Sequence, residues 1–125
     1  MDILEIVRGW LDKQNLRYCI DRCPVEEGQW GLFPQGRRVV ILREDVLGGV
    51  TCRARYQYLL KTPAIPGENT ARVVEQLQLA AATAPPNLGA RGRFTAHDGG
   101  LTKSAGNGLA WYEIRLDAER EEEYA

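Results

Sequence analysis

At 125 residues, 44% of them hydrophobic and 26% charged, the chain has the size and make-up of one globular domain that can bury an ordinary core without staples. Its 16 basic and 17 acidic residues leave a formal charge of −1, which argues against a strongly basic nucleic-acid groove or a polybasic membrane patch. No apolar run is long enough to span a bilayer and no basic-then-apolar leader opens the chain, so the expectation is a protein of the cytosol with no membrane partner.

The first element reads as a helix. Asp2 is placed to cap it, with Glu5 three residues on in a capping-box position, and Ile3, Val7, Trp10 and Leu11, with Ile6 alongside, recur at helical spacing. Asp12, Lys13 and Gln14 fall on the wet side. Leu16, Tyr18 and Ile20 then alternate with Arg17 and Cys19, the period of a strand that ends before Pro24. From Val25 to Arg38 the chain is rich in Gly, Pro, Glu and Gln and reads as a loop carrying Trp30, Leu32 and Phe33. A loop with three large apolar groups either folds back onto its own core, the favoured reading, or docks on a partner.

Arg38-Val-Val-Ile-Leu-Arg43 is a short apolar run, read as a strand that Glu44–Gly49 breaks. Thr51–Thr62 is the clearest strand. Cys52, Ala54, Tyr56, Tyr58 and Leu60 share one face, and Arg53, Arg55, Gln57 and Lys61 the other, where Leu59 intrudes. A second helix, capped by Asn69 or Thr70, runs through Val73, Val74, Leu77 and Leu79 to about Ala82 and is stopped by Pro85-Pro86. Arg93–His97 reads as a strand, Asp98-Gly99-Gly100 as a turn or bulge, Leu101–Ser104 as its continuation, and Ala105–Gly108 as a hairpin turn.

In the closing strand Ala110, Tyr112, Ile114, Leu116 and Ala118 alternate with Glu113, Arg115 and Asp117, and Trp111 stands on the charged face. The expected fold is α+β: a mostly antiparallel sheet of four to five strands with two helices packed on one face. Residues 1–118 form its single domain, and 119–125 a charged, frayed C-terminal tail.

The residues suggest surfaces rather than chemistry. If the strands holding Leu59 and Trp111 pair, an outer apolar spot follows, to be covered by a helix or by another subunit with equal weight. Arg53 and Arg55 are expected either to form a solvated face or to make a subunit contact with Glu113 and Asp117 on a neighbouring strand. Aromatic residues do not alternate with these arginines, which speaks against sequence-specific nucleic-acid binding. A zinc site from Cys19, Cys23, Cys52 and His97 lacks a second close ligand pair, and reduced thiols are the expectation. No glycine-rich phosphate loop is present. A small hydrolase or nucleotide-binding domain using Cys52, His97 and Asp98 is the rival reading, weakened because Cys52 falls on the inward face of its strand.

The segments GLFPQGRRVVILREDVLGG, TCRARYQYLLKTPA, NTARVVEQLQ and GRFTAHDGGLTKSAGNGLAWYEIRL, in that order, resemble those of small minor capsid or neck proteins of tailed bacteriophages and prophages, similar in role and size to tail terminator proteins. The Pro34-Gln-Gly36 turn before Val39–Leu42 and the Gly108-Leu-Ala-Trp-Tyr block are its most specific parts. The chain departs from the pattern in a shorter Ala80–Gly89 connection with paired prolines.

The resemblance implies a non-enzymatic, cofactor-free virion protein, assembled in the host cytoplasm. It would form a hexameric ring that caps the tail tube and joins it to the head, with the tail tube protein and the head–tail connector protein as partners. Head completion, or tail assembly by a factor absent from the finished particle, is the related alternative. The expected subunit or partner contacts are Trp30, Leu32, Phe33, Arg53, Arg55, Leu59, Trp111 and Glu113.

Overall fold

A computed structural model describes residues 2–21, 29–63, 70–103 and 110–124. Among them the chain order is α1 (Ile3–Lys13), β1 (Arg17–Ile20), β2 (Gln29–Glu44), β3 (Val50–Pro63), α2 (Thr70–Thr83), β4 (Arg93–Lys103) and β5 (Ala110–Tyr124). The five strands form one sheet in the order β1-β2-β3-β5-β4. Every pairing is antiparallel except β1–β2, which is parallel. The α+β, sheet-dominated fold expected from the sequence is therefore the one observed. Cys23, Asn69 and the Ala105–Gly108 turn lie outside the described residues.

The core follows from the alternation. On the helix-covered face, Leu32, Leu60 and Ile114 line up across β2, β3 and β5, with Tyr58, Leu116 and Ala96 in the next row. Helix α1 lays Ile3, Val7, Trp10 and Leu11 on these rows, and α2 adds Val74, Leu77 and Ala81. Asp2 caps α1 as expected, its carboxylate accepting from Leu4 N–H at 3.0 Å. The Trp10 indole ties three elements together. Its Nε1 donates to Ala84 O just past α2 at 2.9 Å, and its ring meets Phe94 of β4 edge-on at 4.8 Å.

Two expectations are corrected. Residues 29–33 are not a loop but the start of β2, where Trp30 (3% exposed) and Leu32 (0%) are core side chains. Neither can meet a partner. Residues 119–124 are not a frayed tail either: β5 continues to Tyr124, paired with β3 as far as Val50. The segment looks like a tail because it has no apolar alternation. In the fold its charges are partnered across the sheet, for instance Glu119 by Arg53 at 3.2 Å and Glu122 by Arg37 at 2.7 Å.

Burial pushes the Tyr58 phenol up to about 12, and the charge of Asp2 adds to the effect. In the unfolded chain the same phenol ionises near pH 10, so the contribution of this tyrosine to stability is complete below that pH and is lost as pH rises towards about 12. We expect the denaturation midpoint to fall across that window, less steeply in Tyr58→Phe. Phenolate absorbance rising in a single step near pH 10 for all the tyrosines would contradict this.

Candidate assembly surface

The sheet outruns its helices. The packed core ends at the row of Tyr56, Ala118 and Phe94, yet β2, β3 and β5 continue past it. Residues Gly36–Glu44 and Val50–Tyr56, together with the end of β5, thus build a three-stranded arm about 20–23 Å long. At its base Glu122 accepts from Arg37 Nη2, Arg120 Nε and the Tyr56 hydroxyl, and the Arg37 guanidinium lies 5.5 Å from the centre of the Tyr56 ring. Cys52 and Ala54 are buried on the arm although they lie outside the core cluster, because they sit between larger neighbours: Ile41 and Glu122 flank Cys52, and Val39 and Arg120 flank Ala54.

Strand β2 is the edge of this arm, since β1 pairs only with Gln29–Leu32. Two irregularities shape it. Gln35 and Leu42 are extra residues relative to β3, so the alternation resets twice. Gly36 beside the first bulge takes a φ of 131°, a conformation that glycine adopts without strain. Because this part of β2 lies beyond the helix-covered core, Val39, Val40 (61% exposed), Ile41 and Leu42 are all exposed large aliphatics, whichever face they take. At the tip, Asp45 Oδ1 accepts from Leu47 N–H at 2.9 Å and Gly49 N–H at 2.8 Å, and Gly48 turns the chain at a φ of 87°. This locked turn holds Val46 and Leu47 (93% exposed) in solvent.

The sheet face opposite the helices carries most of the remaining expected contacts. Among the described residues no element lies over it. Strands β3 and β5 do pair, but Leu59 stands across from Arg115, while Trp111 stands across from Pro63. The Lys61–Glu113 ion pair, 3.4 Å, separates the two apolar side chains. The apolar neighbour of Leu59 is instead Phe33, directly opposite on β2. Arg55 donates to Asp117 Oδ2 at 3.0 Å, and that hydrogen bond with the Asp117 charge raises the Arg55 pKa further. Arg53 pairs with Glu119 rather than Glu113. His97 Nε2 lies 3.2 Å from the same Asp117 oxygen, whereas Asp117 Oδ1 and Arg55 Nε are buried without a hydrogen bond.

A second apolar feature lies on the helix side. Ile6, Gly9 and Trp10 of α1 face Ala84, Pro85 and Pro86 across a groove of about 790 Å³, with Glu5 and Lys13 on its rim. Gly9 is unusual there. It is an exposed residue inside a helix, where glycine costs about 0.5–1 kcal/mol relative to alanine. A Cβ added to it would meet nothing within 4 Å. Among the described residues nothing requires the glycine.

The rival chemical set is not brought together. Cys52 is on the helix side of β3 opposite Glu122, and His97 is on the other face opposite Arg115, seven residues away along β5. Adjacent Asp98 points to the face away from His97. Cys19 is exposed on β1, and among the described residues no group of three or more His, Cys, Asp or Glu is placed to hold a metal ion. No described helix is long and apolar enough to cross a membrane.

In the sequence Val39–Leu42 has the pattern of a strand and nothing more, and Val46 and Leu47 fall within the Glu44–Gly49 break. The available signal was an arginine-flanked aliphatic run followed by an Asp-x-x-Gly-Gly turn that again holds two aliphatics. The chain matches no protein-family model and no curated protein sequence.

Proposed function

We propose that this chain is a bacteriophage or prophage virion morphogenesis protein, a tail terminator or neck component that self-assembles into a ring. The ring caps the tail tube and docks the head–tail connector, and the chain acts without a cofactor or a reaction of its own. It assembles in the host cytoplasm and works in the neck of the particle. The observation that carries this reading is the arm: an ordered extension of the sheet that displays Val39–Leu42, Val46 and Leu47 to solvent. Apolar surface gathered on one rigid element favours contact with other molecules over an isolated existence. The open face supports the same reading, with Phe33 and Leu59 adjoining ladders of paired charge. A net charge of −1 puts no long-range repulsion in the way of many identical copies.

Electron microscopy of the purified chain mixed with its tail tube protein tests the reading. Discs seated on tube ends are expected, and tubes with bare ends would refute it. Replacing Cys52 and His97 by alanine together should leave capping unchanged, because those side chains lie on opposite faces of the sheet. Capping lost in that double variant, with the fold intact by circular dichroism, would restore the chemical reading.

A further inference from the structure

We infer that the arm tip of one copy seats in the α1 groove of the next, Val46 and Leu47 entering the space floored by Gly9 and walled by Trp10 and Pro85-Pro86. The contact rests on the self-association proposed above and assigns its two halves.

The tip has the properties of an inserted knob. Asp45 ties the backbone of Leu47 and Gly49, so little conformational freedom remains to be lost when the two side chains are buried. The groove has the properties of a receptor. Ile6, Trp10, Ala84 and Pro85-Pro86 give it an apolar middle between Gln14, Asn87 and the rim charges, and the Trp10 indole N–H is already satisfied by Ala84, so an apolar occupant does not orphan that donor.

Gly9 is the independent observation. A helical glycine that no described neighbour demands leaves an open floor where a side chain would stand, as a closely approaching occupant requires. Charges also match. Arg43 and Glu44 precede the tip, and Glu5 and Lys13 stand on the rim, so each rim charge has an opposite available on the arm. The knob and the groove are different patches of one chain. Repeated head-to-tail, such a contact is heterologous and passes from copy to copy, closing a ring where the rotation per subunit allows it.

Disulfide trapping tests this directly. In a Cys19→Ser, Cys23→Ser background, chains carrying Leu47→Cys are mixed with differently tagged chains carrying Gly9→Cys under mild oxidation. A covalent pair containing one of each is expected, with little from either chain alone. A dominant Leu47→Cys self-pair would show tip-to-tip contact and overturn the inference. So would no cross-link from a mixture that self-associates, or a wild-type chain that stays monomeric in sedimentation at every concentration.

Gly9→Met, which fills the floor from an exposed helix position, should weaken self-association by at least about tenfold, as should Leu47→Asp. Unchanged association in both, with native circular dichroism, also overturns it. Rings that still cap tubes without the trapped pair would refute this contact alone. Bare tube ends with the trapped pair present would refute only the tail-capping role.

Discussion

Leu32→Ala should lower the free energy of unfolding by about 2–5 kcal/mol, read as an earlier midpoint in urea with the slope unchanged. Leu32 is fully buried between β1 and β3, opposite Ile20 and Leu60, in the row that α1 and α2 cover. Truncation there leaves a cavity walled by the sheet, which has little room to collapse. The comparison is Phe33→Ala, one residue on and facing the other way, where the side chain is only half-buried beside Leu59. Its loss should cost less than about 1.5 kcal/mol. Equal effects at the two positions would mean that the segment is not a strand with one dry face.

Ending the chain after Ala118 should be nearly as damaging, destabilising the fold by more than about 3 kcal/mol and driving aggregation. Removing 119–125 takes away the partner of Val50–Arg55 along β3. It also deletes Glu119, Glu121 and Glu122, the acceptors for Arg53, Arg91 and Arg37. What remains of the arm is a two-stranded hairpin with a newly bared edge, marginal by itself in water. A solvated tail could be removed at no cost, so a truncated chain that melts like the full one would disprove the role given to these residues.

The contrast between legible and illegible parts has a physical basis. Strands β3 and β5 could be read because both pair without a break, so Cys52 to Leu60 and Tyr112 to Ala118 keep strict alternation. Helix α1 announced itself through its cap and stripe. Strand β2 could not be read in the same way. Its bulges at Gln35 and Leu42 reset the alternation, so Trp30 and Leu32 share a face with Val39 and Ile41 rather than with Val40.

The end of β5 hid because an arm that leaves the core needs partners for its charges rather than apolar residues to bury. Of the expected contacts, Trp30 and Leu32 went to the core. Arg53, Arg55, Leu59, Trp111, Glu113 and Phe33 share the open face, with Trp111 set apart from Leu59. Leu79, read as part of the packing stripe of α2, is exposed. The groove needs α1 and the Pro85-Pro86 segment together, a juxtaposition no local pattern can announce.

The extra residues of β2 also bear on geometry at a larger scale. Deleting Gln35 would leave every cross-strand partner in place, since Pro34 would still face Tyr58 and Gly36 would still face Gln57. What would change is the local bend and twist that a bulge imposes. One amino acid thus acts as a tiller: it alters the heading of the projection while its cargo of side chains stays the same. In the ring proposed above, that heading would set the circumference, and the bore would shift without any change in the surfaces that touch.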